Sequence, residues 1–150
     1  MTVKKKGKHI VLIACGSRTW KNKDLVWQTL DKLVEPYAFV TLIEGGAKGA
    51  DAFSAWWVRN RAKKASETSN TQPFIHIKVE PHWGANDKMA GPIRNRMMLQ
   101  LLLASSADHY LVVAFKEDFD LSTNKGGTED MVRRANESYV DYMVVTGHDD

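Results

Sequence analysis

The chain has 150 residues, 43% of them hydrophobic and 26% charged, which fits one globular domain with a substantial core. Its single cysteine, Cys15, excludes an intrachain disulfide and a multi-cysteine zinc site, and its place at the end of an apolar run suits a buried thiol in a reducing compartment. The net charge of +3 resides in Lys4, Lys5, Lys6 and Lys8: without them the remainder stands at −1, so the body is nearly neutral and the basic character belongs to a tail.

His9 to Cys15 is an almost unbroken apolar run, as expected of a parallel strand covered on both faces. The spacing of Leu25, Val26, Leu30, Leu33 and Val34 predicts a helix over 24–34, ended by Pro36. Val40 to Ile43 reads as a second strand and Ala50 to about Ala65 as a second helix. The polar stretch Ser66 to Pro73 reads as a surface loop, because too little chain lies on either side for two cores. Phe74 to Val79 is a third strand, and Pro92 is placed in the first turn of a helix running to about Ala104. Tyr110 to Phe115 is a fourth strand, Gly127 to Glu137 a helix and Tyr142 to Val145 a fifth strand. This alternation predicts an α/β fold with a mainly parallel five-stranded sheet and right-handed crossovers. The expected division is a flexible basic tail at 1–8, one domain at 9–146 and a frayed terminus at 147–150. No apolar run approaches membrane-spanning length, and no signal-like segment follows the lysines, so a cytoplasmic location is expected.

Open parallel sheets bind ligands beyond the carboxyl ends of their strands, which selects four segments. Gly16, Ser17 and Arg18 follow the first strand. The hydroxyl and the guanidinium can hold a phosphate or ribose, or Ser17 or Thr19 can simply cap the next helix. Gly45, Gly46, Ala47, Lys48 and Gly49 follow the second strand, with Asp51 at the helix start as a cap. Strand, glycine turn and helix aim free N–H groups at an anion, although the same pattern serves as a tight connection. Arg94, Asn95 and Arg96 open the third crossover helix. Arginines oppose the dipole in a first turn, so an anionic partner or acidic neighbours are expected, with one arginine in the crevice and the other bracing a loop carboxylate. Met97, Met98, Leu99 and Leu101 to Leu103 read as core. Gly126, Gly127 and Thr128 form a second anion cradle, where Glu129 and Asp130 are either dipole partners or a ribose-orienting acid and general base. Five histidines lack metal-ligand spacing, so no metal and no cofactor are expected. Trp20 and Trp83 could stack on bases, while Trp83 in an irregular segment is more often a loop anchor packed on the core. Trp56 and Trp57, adjacent on one helix, cannot both face the core; the outward one suits a packing site under the Ser66 loop or a homo-oligomer surface.

Taken together, G-S-R-T-W at 16–20, E-G-G-A-K-G-A-D at 44–51, W-G followed by A-G-P-I-R-N-R-M at 90–97, and G-G-T at 126–128 resemble the YspA-like branch of the SLOG superfamily. The superfamily includes the LOG-type phosphoribohydrolases and the DNA-processing protein DprA. The resemblance spans Val11 to Val145 and implies a Rossmann-like three-layer domain that binds a nucleoside phosphate or an ADP-ribose-like ligand. Likeness to the phosphoribohydrolases implies Glu129, Asp130 and Arg94 as catalytic residues for cleaving an N-glycosidic bond, although Asp130 stands where that family has a longer glutamate. Likeness to DprA implies the alternative of a single-stranded nucleic-acid module.

Overall fold

The computed structural model describes residues 8–68, 72–82 and 87–147. The elements run β1 (His9–Gly16), α1 (Lys23–Val34), β2 (Phe39–Glu44), α2 (Ala50–Ser66), β3 (Phe74–Lys78), α3 (Asp87–Ala104), β4 (His109–Phe115), α4 (Gly127–Glu137) and β5 (Asp141–Val145). The strands form one sheet in the order β3-β2-β1-β4-β5, and every neighbouring pair is parallel. The strand order reverses between β1 and β4, where Ile10 pairs with His109 and Gly16 with Phe115. The architecture is the Rossmann-like three-layer one, with a sheet that is parallel throughout.

Side chains alternate faces along a strand, and β1 shows how that builds two cores. Ile10, Leu12 and Ala14 pack with Val26, Leu30 and Val34 of α1 and with Trp57 and Val58 of α2. Val11, Ile13 and Cys15 point the other way, to Met98, Leu99 and Leu102 of α3 and to Met131, Val132 and Ala135 of α4. β1 is central because six consecutive residues, Ile10 to Cys15, are buried, and only a doubly covered strand accommodates that run. α1 starts at Asn22, whose side chain accepts the Leu25 N–H at 3.0 Å. Trp57 is fully buried and donates to Asp31 at 2.8 Å, while its neighbour Trp56 is 53% exposed, so the two indoles diverge as adjacent helical positions must.

Two expectations change. α3 begins at Asp87, five residues before Pro92, so the proline lies inside the helix. It lies beyond the first turn, so its missing N–H leaves the Lys88 carbonyl without an intrahelical donor. Arg94 and Arg96 therefore sit beyond the first turn, and the dipole argument for an anionic partner does not apply to them. Second, only Met98, Leu99 and Leu102 of the expected α3 core are buried. Met97, Leu101 and Leu103 lie on the outer side with Met89 and Ile93, because an 18-residue helix laid on a sheet buries one stripe only. Trp83 and Gly84, the lysines at 4–6 and residues 148–150 lie outside the described residues. No described helix is long and apolar enough to cross a membrane.

Candidate functional site

A crevice of about 470 Å³ opens at the carboxyl ends of β1 and β4, at the reversal of strand order. Its walls come from four places in the chain. The loop after β1 supplies Gly16, Ser17, Arg18 and Thr19; the start of α2 and the turn before it supply Asp51 and Ala47. α3 contributes Lys88, Gly91, Pro92, Arg94, Asn95 and Met98, and Lys116 with Gly127 and Thr128 closes the far side. Cys15 lies in the lining as well, but burial pushes its thiol far above the usual range and its Sγ faces the Val113 carbonyl, so it is an inert surface. A second recess of about 490 Å³ shares Arg18, Ala47 and Arg94 with the first and adds Gly45, Gly46, Lys48, Glu80 and Pro81.

The loops that make the crevice are tied to one another by backbone bonds. Ser17 N–H donates to the Phe115 carbonyl at 2.9 Å, and Ala50 N–H donates to the Ser17 carbonyl at 3.2 Å. This closeness explains Gly49, which has φ of 71° and lies so near the Ser17 and Arg18 carbonyls that a Cβ would collide with them. Gly49 does not line either recess: it lets the first two loops touch. Ser17 turns its hydroxyl inward, accepting the Thr19 N–H at 3.0 Å and meeting the Thr19 hydroxyl at 2.7 Å. It shapes its own loop and caps no helix.

α2 and α4 both begin on glycine, Gly49 and Gly126, with no side-chain cap, so the partial positive ends of both helices face this region without a built-in anion acceptor at the cap. Arg94 lies between the two recesses. Its Nη1 donates to the Gly45 carbonyl at 2.8 Å and its Nε to Asn95 Oδ1 at 3.1 Å. Asn95 is buried and donates to the Gly127 carbonyl at 3.0 Å and to Asp130 Oδ2 at 2.9 Å. Asp130 also accepts from Arg134 Nε at 2.9 Å. Arg94 and Asn95 thus join the β2 loop to the start of α4. Arg96 is exposed and lines neither recess, as a position two residues along a helix from Arg94 must point elsewhere.

The two acids expected near a reacting sugar do not line either recess. Glu129 is 1% exposed and curls back toward the helix start, where Lys116 Nζ donates to both of its oxygens at 2.8 and 3.0 Å and Asp120 N–H donates at 3.0 Å. Burial alone would raise its pKa, but the Lys116 ammonium and the Asp120 N–H outweigh that and hold it below the usual range. Glu129 therefore braces the loop between β4 and α4, and Gly126 lies directly against its carboxylate. Asp130 is occupied by Asn95 and Arg134.

The acid that does line the crevice is Asp51. Gly49, not Asp51, is the helix cap; the Asp51 carboxylate instead accepts the Ala47 N–H at 3.2 Å and is 5% exposed. Burial first, and then the nearby Glu44 carboxylate, push its pKa up to about 6 against the Ala47 N–H, Arg94 and the Gly45 N–H. Glu44 stands at the end of β2, is 1% exposed, and is held by the Gly46 N–H at 2.6 Å and by His76 Nε2 at 2.7 Å. Lys116 and Lys88 were not expected from the sequence. Lys116 could have been found from its position, because it directly follows the apolar run of β4, where the crevice must open. Trp20, one of the two expected base-stacking platforms, is 3% exposed and packed on Phe115 at 5.8 Å between ring centres. Among the described residues, no group of three or more His, Cys, Asp or Glu side chains is placed to hold a metal ion.

A parallel five-stranded sheet in this order, with glycine-started helices around a crevice at the reversal point, defines a Rossmann-like three-layer class. Within that class, the model of the YspA, cpYpsA-related SLOG family (YAcAr) matches residues 10–67. The chain is also 34% identical over 91 residues to the Gene 61 protein of Mycobacterium phage D29, covering 59% of this chain and 67% of the phage protein. The chain belongs to the YspA, cpYpsA-related SLOG family.

Proposed function

We propose that the crevice binds a nucleotide or nucleotide-derived ligand through its phosphate, and that the protein acts as a sensor or sequestering protein for it. The observation that carries this reading is the charge of the lining. Arg18, Lys88, Arg94 and the Glu129-paired Lys116 converge on a space of about 470 Å³, together with the uncapped starts of α2 and α4, and among the described residues a single acid lines it with them. Arginine forks, lysine ammonium groups and helix starts are the groups that hold phosphate. The volume suits a small ligand. Gly16, Ser17, Gly127 and Thr128 would approach the phosphate, and the recess with Gly45, Gly46 and Lys48 would take a further part of the ligand.

Binding is favoured over N-glycosidic hydrolysis because Glu129 and Asp130 are already engaged by Lys116, Asn95 and Arg134 and do not line the crevice. The buried Trp20 gives no support to the single-stranded nucleic-acid alternative. Calorimetry against nucleoside mono-, di- and triphosphates and ADP-ribose tests the reading. We expect at least one ligand to bind well below ~1 mM, a free energy beyond roughly −4 kcal/mol. A panel in which nothing binds more tightly than that refutes it, and release of free base from a bound monophosphate would restore the hydrolase.

A further inference from the structure

We infer that Asp51 is the specificity residue of the crevice, accepting a hydrogen bond from a sugar hydroxyl of the ligand, so that the site takes a sugar phosphate and disfavours phosphates without a neighbouring hydroxyl. This assignment rests on the phosphate-binding reading above. A carboxylate, Asp51, stands among the cations of a crevice suited to anions. An ionised carboxylate repels a phosphate and can accept only from a donor. Arg18, Lys88, Arg94 and Lys116 line the same crevice as Asp51, so an anion held by them lies within reach of its repulsion. A ligand that places a hydroxyl beside its phosphate turns that repulsion into a charge-assisted hydrogen bond.

Helix stability alone does not account for the residue. Asp51 does not cap α2, whose cap is Gly49, and the residue is buried yet forms part of the crevice wall. Nor is the acid at the end of β2 available for the task. In dinucleotide-binding sheets that position reads the ribose. Here Glu44 is 1% exposed, bound by Gly46 N–H and His76, and outside the crevice lining. Asp51, seven residues later, is the acid that the fold brings to the ligand side.

The test uses D-ribose 5-phosphate and methyl phosphate, which share the phosphate and differ in the hydroxyls, on wild type and Asp51→Asn at pH 7.5. Wild type should prefer the sugar phosphate by about 10- to 100-fold, the usual worth of a hydrogen bond to a charged group. In Asp51→Asn that ratio should shrink at least about tenfold, with methyl phosphate binding more tightly than to wild type because the repulsion is gone. An acid with a merely structural role would leave the ratio unchanged or weaken both ligands in parallel, and either result overturns the assignment. If Asp51→Asn does not fold, the same ratio is read on wild type at pH 5, below the value of about 6 to which burial raises the Asp51 carboxyl; both probes are phosphate monoesters, so their own titration cancels. The groups facing Asp51 there are Glu44 at the end of β2, Cys15 on β1 and Arg94 on α3. A ratio that stays constant between pH 7.5 and pH 5 overturns it too. Equal binding of the two probes by wild type refutes the hydroxyl assignment alone, whereas no binding of any phosphate compound refutes the functional reading and the assignment with it.

Discussion

Replacing Asp51 with asparagine should stabilise the folded protein at neutral pH, and the gain should vanish in acid. In the fold, burial beside Glu44 raises the Asp51 pKa from its ordinary 3.8 to about 6. Between those values the folded chain keeps a proton that the unfolded chain has released. Stability is therefore highest below pH 3.8 as far as this group is concerned, and falls as pH rises through about 6. At about 1.4 kcal/mol for each tenfold change in proton affinity, the penalty of holding the ionised carboxylate is about 3 kcal/mol at pH 7.5. The amide avoids that penalty and retains an oxygen for the Ala47 N–H, though a weaker acceptor than the carboxylate. The expected net gain is about 1–3 kcal/mol. Urea unfolding of both proteins at pH 7.5, 6 and 4 measures it directly. A variant no more stable than wild type at pH 7.5, or a gap that does not close toward pH 4, would refute the reasoning, because it would mean that the carboxylate is well solvated or fully neutralised by Arg94. A destabilising acid kept in the wall of the proposed binding crevice fits the exchange of stability for function seen at binding sites in general.

Arg94→Ala should weaken the best nucleotide ligand by about 10- to 100-fold in calorimetry, since a guanidinium between both recesses is removed; unchanged affinity would exclude Arg94 from the site. Glu129→Gln should destabilise the fold by about 2–4 kcal/mol in urea, because it leaves the Lys116 ammonium without its counter-charge. Since the Glu129 pKa is lowered in the fold, the wild-type advantage should be present above the ordinary glutamate range and fade as pH falls through the folded value. Tyr139 is the only non-glycine among the described residues with positive φ, at 58°, and it is 97% exposed in the turn that ends α4. There Val140 N–H reaches the Ala135 carbonyl and Tyr139 N–H the Asn136 carbonyl. Tyr139→Gly should therefore raise stability by about 1 kcal/mol, read as a higher urea midpoint.

The sheet was legible because parallel strands covered on both faces write themselves as apolar runs, and His9–Cys15 and Tyr110–Phe115 are such runs. The glycine turns were legible for the same local reason. What local pattern does not carry is the direction of a side chain. Glu129 is next to Thr128 in sequence, yet one residue of helix rotation takes it out of the crevice and back toward Lys116, while Thr128 stays in the wall. Pro92 suggested a helix start because proline is common there, whereas the helix extends one and a half turns before it. Asp51 was recognisable as a first-turn acid, but its role depends on Glu44, Arg94 and Ala47 arriving around it, and only the last is a neighbour in sequence.

The strand order also has a consequence for how the chain is made. β1 can pair with β2 about thirty residues after it is made, since His9 lies opposite Phe39. Its other edge waits for β4, about 100 residues further along. Until then the edge of a strand that is apolar on both sides stands open, and such edges recruit other chains. The crevice lies at the end of this late seam: Gly16 meets Phe115 there, and Ser17 N–H finds its acceptor only when the Phe115 carbonyl arrives. A growing or truncated chain lacking β4 has the glycine turn after β2 but no pocket for a phosphate to enter. On the phosphate-binding reading proposed above, a ligand would stabilise only the species in which the long-range pairing is already made, and would act on the finished fold by holding that seam shut.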